Sequence, residues 1–240
     1  VHVNGCYPDM TNAYLAESMG APSIGIGNIA NMIPGLKLAF AARDHVSSSD
    51  IEVRMIAHHN VSLNAPTNGT SNGVPFGLEI TDRNAGTVEW FDERTNYPFE
   101  LLLSRARRVR GLEGQGVTIN SAATLLASLM NRTPAVHHSP GALGLPGGYP
   151  VRISDNGHLT LDLPPRLSEQ SAVIINRSGQ IADGIRDVVP GRVDMTTQAS
   201  YALEQITGVS LQSVTAEIEA EASRDCITAL NRRYGLGLRL

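Results

Sequence analysis

Long apolar runs are missing from this chain of 240 residues. No stretch approaches the roughly 20 apolar residues of a membrane span, and no signal-peptide pattern is visible. Cysteine is scarce. Cys6 and Cys226 lie far apart and match no metal or redox spacing, so the expected context is reduced and cytoplasmic. An excess of one charge is also missing: the net charge is −4, a poor basis for nucleic-acid binding. The one basic cluster, Arg105-Ala106-Arg107-Arg108-Val109-Arg110, reads as a solvated helix face. There is no internal repeat and no low-complexity segment. What is present is a 42% hydrophobic composition, which excludes disorder and suits one large domain or a medium domain with an appendage.

Val1-His2-Val3 reads as a strand already under way, without an initiator Met, so the expectation is a chain that begins inside a larger fold. After the turn Asn4–Asp9, a helix is predicted from Thr11 to Met19, capped by Asp9 or Thr11. Ser23–Asn28 is predicted as a short strand ending in a Gly-containing turn. Ile29–His45 is predicted as a long apolar helix, interrupted or started afresh at Pro34-Gly35. Ile51–Ala57 alternates as a strand, and the Asn/Gly/Pro-rich stretch Asn60–Gly77 reads as a loop or wide hairpin.

Further helices are predicted over Phe99–Arg110, over Ser121–Met130 with Asn120 or Ser121 as cap, and over Ser168–Val188. Asp155-Asn156-Gly157, between two apolar runs, predicts a hairpin. After Pro190-Gly191 the composition shifts, and Thr196–Thr207 and Leu211–Tyr234 read as two more helices broken at Gly208. The expected division is therefore a domain over residues 1–190 and a helical tail over 191–240.

The segments Tyr7-Pro8-Asp9, Ile24-Gly25-Ile26-Gly27-Asn28 and Met55-Ile56-Ala57-His58-His59-Asn60 succeed one another in a telling order. Gly116-Val117-Thr118, Tyr149–Gly157 and Leu163–Glu169 come after them. In that order and spacing the chain resembles the C-terminal, substrate-binding domain of the lactate/malate dehydrogenase superfamily, a fold shared by the family-4 glycoside hydrolases. The resemblance covers residues 1–188. It implies an α+β domain with a mixed or antiparallel sheet and long helices. It also implies NAD or NADP, bound mainly by an upstream nucleotide-binding domain, a small-molecule hydroxy or oxo substrate, and a homodimer or homotetramer. Neither a nucleic-acid nor a membrane partner is implied.

The resemblance places the proton-transferring histidine at His59 and the residue that orients it at Asn31, where the family has a carboxylate. The position of the substrate-clamping arginine falls near Pro34, and Lys37 is the nearest cation. Asn4 and Tyr7 compete for the family's substrate-orienting Asn, with Asn12 a third candidate. Thr118 and Ser121 are substrate contacts or ordinary caps, and Asn28 is the cofactor contact. The turn Gly25-Ile26-Gly27 lacks the third Gly and the acidic partner of a dinucleotide fingerprint, and reads as a tight turn before a helix.

Three readings of His59 stay open: an acid/base in an NAD(P)-dependent oxidoreductase, a relic in a non-catalytic binding or oligomerisation module, and a structural histidine in a turn. No metal ligand is assigned, because adjacent strand residues such as His58 and His59 point to opposite faces. His137-His138 meets the same objection and reads as a loop, and Asn64, Asn68 and Asn72 read as surface loop.

Overall fold

The computed structural model describes every residue except Met19, Arg108, Arg110, Arg239 and Leu240, and every remaining side chain except that of Glu219. The expected basic helix over Phe99–Arg110 stops at Arg105, so Arg107 lies past its end, and Arg108 and Arg110 are outside the described residues. The predicted first helix does not reach Met19, itself outside the described residues, but ends at Tyr14. That helix begins earlier than its capping residues suggest: α1 spans Pro8–Tyr14, with Pro8 in the first turn and Tyr7 ahead of it in the left-handed region. It crosses between β1 (Val3–Asn4) and β2 (Ile24–Gly25), a short parallel pair.

A 3-10 turn, Asn28–Asn31, then leads into α2 (Ile33–Asp44). Pro34 sits in the first turn of α2, where its missing N–H leaves nothing unpaired, so the helix starts afresh here.

β3 (Ile51–Ile56) turns Val53 and Met55 inward and Glu52 and Arg54 outward, as its alternation predicts. Two strands that the pattern does not announce, β4 (Gly77–Asp82) and β5 (Thr87–Asp92), pair antiparallel in the order β3-β4-β5. The expected loop after His59 is instead largely helix: α3 runs His59–Asn68 and ends at left-handed Gly69. Its buried positions, Val61, Ser62, Ala65 and Pro66, form one face and outweigh the turn-forming composition.

α4 (Tyr97–Arg105) closes over the first core, in which Met32, Leu36, Phe40, Met55, Phe76 and Phe99 are buried together. α5 (Gln115–Asn131) starts a turn and a half before the predicted Ser121.

β6 (Ala135–Pro140) contains His137 and His138, which are therefore strand and not loop. It pairs with β7 (Gly148–Ile153), and β7 with β8 (Leu159–Leu161) across the predicted hairpin. A second core, with Ile24, Ile56, Leu125, Tyr149, Val151 and Ala172, lies between this sheet, β2, α5 and α6 (Glu169–Ala182). Ser168 caps α6 as predicted, but the helix stops at Ala182 and not at Val188. Gly184, at φ 87°, turns the chain into β9 (Ile185–Val189).

β9 pairs with β10 (Arg192–Met195), and β10 with β11 (Ser213–Thr215). The expected tail is therefore not purely helical: around α7 (Thr197–Thr207) and α8 (Ala216–Tyr234) it carries two strands of a sheet whose third strand precedes residue 190. The class is mixed α+β, with small antiparallel sheets. No helix among the described residues is long and apolar enough to cross a membrane.

Candidate functional site

The site forms where β3 gives way to α3. Ala57 bridges to Gly148 through two backbone hydrogen bonds of 3.1 and 3.3 Å, which tie the β3 and β7 sheets together. His58 then leaves the strand in extended conformation and caps α3: its Nδ1 accepts from the Asn60 N–H at 3.3 Å. His59 is the first helical residue, so the two imidazoles are not on opposite strand faces. Their ring centroids are 5.3 Å apart at 67°. The premise that separates them in the sequence fails because the strand ends before them.

α6 reaches this corner because it has no side chain at position 179. A Cβ on Gly179 would lie 2.3 Å from the His58 Cβ. That close approach carries the helix end over α3 and places Asp183, the C-cap of α6, with Oδ2 at 3.1 Å from His59 Nδ1. Asn60 Nδ2 lies 3.4 Å from the other carboxylate oxygen. A carboxylate at a helix C-terminus opposes the helix dipole, so its partner must come from elsewhere in the fold, and His59 is that partner.

The hydrogen bond that His59 donates to Asp183 pushes the His59 pKa up from its ordinary value against the opposing effect of burial, and the charges of Asp183 and Asp9 add to the rise. Burial would raise the Asp183 carboxyl, but the hydrogen bond and charge of His59 outweigh it and hold the group below the usual carboxylate range. His58 behaves oppositely. Burial, and then the neighbouring His59 charge, depress it to about 4, so at neutral pH it is an uncharged imidazole with Nδ1 as acceptor. Among the described residues no protein group hydrogen-bonds His59 Nε2. With Nδ1–H directed at Asp183, Nε2 is the nitrogen left to exchange a proton.

Asp9 completes the arrangement. It is 5% exposed in the first turn of α1, and burial pushes its carboxyl up to about 6 against the Asn28 hydrogen bond and the His59 charge. Asn28, itself in the left-handed region at φ 47°, donates from Nδ2 to Asp9 Oδ2. The His59 backbone amide lies near enough to favour the ionised form, yet Asp9 Oδ1 has no full hydrogen-bond partner. On α6, Asn176 Oδ1 and Gln180 Nε2 are likewise buried and unpaired. Asn176, Gln180 and Asp183 recur at helical spacing on one polar face. Buried polar atoms are almost always paired, yet four on these two helices, in Asp9, Tyr14, Asn176 and Gln180, have no partner.

The other sequence-predicted residues lie elsewhere or have structural partners. Asn31 does not orient His59: its Nδ2 donates to Thr118 Oγ1 at 3.0 Å, and its Oδ1 accepts from Ser121 Oγ at 3.2 Å. Thr118 and Ser121 lie inside α5, one turn apart, and hold the 3-10 turn; neither caps a helix. Asn4 staples its own turn to Cys6 and donates to Asn12 Oδ1 at 2.8 Å, and Asn12 donates to the Gly141 carbonyl. Tyr7 is 75% exposed.

Asn28 is engaged with Asp9, and Gly25 is required by packing, since a Cβ there would lie 2.3 Å from the Pro8 Cβ. Lys37 lines a different hollow, with Ser121, His137 and His138. Asn64 and Asn68 are helical, and Asn72 is in the left-handed region.

Sequence reasoning missed Asp183. The signal available for it was a carboxylate at a helix end with no cation one turn back. Asp9 was visible only as a candidate cap.

His58, His59 and Asp183 each offer a ligand atom within 4.8 Å of the others, a donor set suited to a divalent cation. No family model, no curated protein and no solved structure matches this chain.

Proposed function

We propose that this chain is the substrate-handling domain of an NAD(P)-dependent oxidoreductase acting on a hydroxy or oxo compound. In this reading His59 is the proton donor and acceptor. The observation that carries it is the 3.1 Å contact between His59 Nδ1 and Asp183 Oδ2. A carboxylate so placed fixes the tautomer, leaves Nε2 as the base, and stabilises the imidazolium once a proton arrives. In the oxidative direction the substrate O–H proton moves to Nε2 while the carbon-bound hydrogen leaves with its electron pair. When bound, the nicotinamide cofactor supplies the acceptor for that hydride.

The Asp9 charge stabilises the same imidazolium. The order of the sequence motifs supports a dehydrogenase-type fold for this reading. The test is a cofactor-reduction screen of the full-length protein against alcohols and hydroxy acids, repeated with His59→Ala and Asp183→Asn. The expected result is loss of turnover in the first and a downward shift of the acidic limb of the pH profile in the second. Unchanged turnover in His59→Ala overturns the proposal.

A second reading takes His58, His59 and Asp183 as ligands of a divalent cation, and the 4.8 Å convergence favours it. The use of His58 Nδ1 as the α3 cap counts against it, because that lone pair is already committed. Zinc titration separates the two: saturable binding that His58→Gln and Asp183→Asn both abolish supports the cation.

A further inference from the structure

An open hollow of about 370 Å³ lies between α2, α5 and β6. Its lining includes none of His59, Asp183 or Asp9, so a ligand held there is independent of the proton-transfer reading. Lys37 enters the hollow from α2 and is the only lysine in the chain. Among the described residues no carboxylate pairs with it, and no Asp or Glu lines the hollow. Burial, with the Arg83 charge, pulls its pKa down, while the Glu52 charge opposes. Glu52 is itself paired with Arg54 at 2.8 Å. A half-buried ammonium without a counterion is costly unless something supplies one.

His138 on β6, 7% exposed, also lines the hollow. Its Nε2 accepts the Met55 backbone N–H at 3.0 Å, which fixes the proton of the neutral ring on Nδ1. Burial, then the charge of Lys37, depresses its pKa to about 3, so the ring is neutral at any physiological pH. Nδ1–H has no acceptor among the described residues. It is a fixed donor on a nine-tenths buried side chain that lines the hollow. Ser48 and Asn120 add further donor-capable groups. Ile33, Leu38 and Val136 supply an apolar wall.

Every uncommitted polar group is therefore a donor or can act as one, beside one cation and a hydrocarbon surface. We propose that this hollow binds a small monocarboxylate, its carboxylate between Lys37 Nζ and His138 Nδ1 and its apolar body against Ile33, Leu38 and Val136. One cation balances one negative charge; a dianionic phosphate would leave a charge uncompensated in a half-buried place.

The test is calorimetric titration of the 240-residue chain with butyrate, butyramide and inorganic phosphate, for the parent and Lys37→Met. Reductive methylation with ¹³C-formaldehyde provides a second measurement, since it labels only Lys37 and the Val1 amine. The expected result is saturable butyrate binding, weaker by at least about tenfold in Lys37→Met. Butyramide should give no binding, and phosphate should bind more weakly than butyrate. The Lys37 methyl signal should shift with butyrate while the Val1 signal stays. Absence of any saturable heat or Lys37 shift overturns the proposal. So does undiminished binding to a Lys37→Met chain shown by circular dichroism to be folded. Phosphate binding as tight as butyrate overturns the assignment to carboxylates.

Discussion

Asp9→Asn should make this protein more stable at alkaline pH and leave it unchanged in acid. The carboxyl titrates near 3.8 when exposed and near 6 in the fold, because burial outweighs the Asn28 hydrogen bond and the His59 charge. Its folded pKa is raised, so the carboxyl favours the folded state fully below the unfolded pKa. That favour is lost as pH climbs from about 4 to about 6. Above that range, holding the ionised group inside costs about 3 kcal/mol.

Asparagine keeps an oxygen for the Asn28 Nδ2–H and removes the charge. The variant should therefore gain about 2–3 kcal/mol at pH 8, a rise in midpoint temperature of roughly 4–12 °C for a chain of this size. At pH 4 the two proteins should coincide. Urea unfolding of both from pH 4 to 8 measures this. A variant equally or less stable at pH 8, or a difference that persists at pH 4, would refute the reasoning. If Asp9 serves the His59 site, the gain should come with lost turnover, the usual exchange between stability and a strained site.

Asp183→Asn should lower the His59 pKa, because burial then acts without the carboxylate's hydrogen bond. The folded-state pKa of His59 is raised and that of Asp183 depressed, so the pair is doubly charged between about pH 4 and 6.5. A stability loss of about 1 kcal/mol should appear there and shrink above it. Imidazole NMR titration checks the first expectation and unfolding at pH 5.5 and 8.5 the second; a larger loss at 8.5 contradicts both.

Gly179→Ala should cost about 1–3 kcal/mol, since its Cβ would meet the His58 Cβ at 2.3 Å. By lifting α6 it should also return His59 toward ordinary titration. His138→Leu should cost about 1–3 kcal/mol at pH 7 by orphaning the Met55 N–H. In the parent, His58 at about 4 and His138 at about 3 bind protons more readily unfolded, so stability should fall as pH drops below 6.5. A Leu variant with an equally steep acid limb would remove His138 from that account.

What the sequence made legible is what local chemistry dictates. β3 was readable from its alternation, the β7–β8 hairpin from Asp155-Asn156-Gly157, and the N-termini of α6 and α7 from Ser168 and Thr196. His59 was found as a candidate, and its partner was not. Orientation by Asn31 rested on chain order, whereas the side chain near His59 depends on how closely α6 packs, which a glycine at 179 decides. α3 was hidden because Asn, Thr and Pro report turn preference. Burial of Val61 and Ala65 against a distant core overrode it. The strands at the end of the chain were missed because β10 and β11 are four residues or fewer, too short for a period to show.

The contact between His59 and Asp183 joins segments well over one hundred residues apart; the neighbouring Asn60–Asp183 pair spans 123. Such a loop closes late, after hairpins and helices have formed on their own. A nascent chain released before α6 emerges would already hold α3 and its His58 cap, yet carry His59 as an ordinary solvent-titrating imidazole. The raised titration of His59 would then arrive in one step, when the end of α6 docks. The His59 titration would thus serve as a reporter of domain completion, distinguishing a finished molecule from a truncated or partly opened one without any assay of turnover.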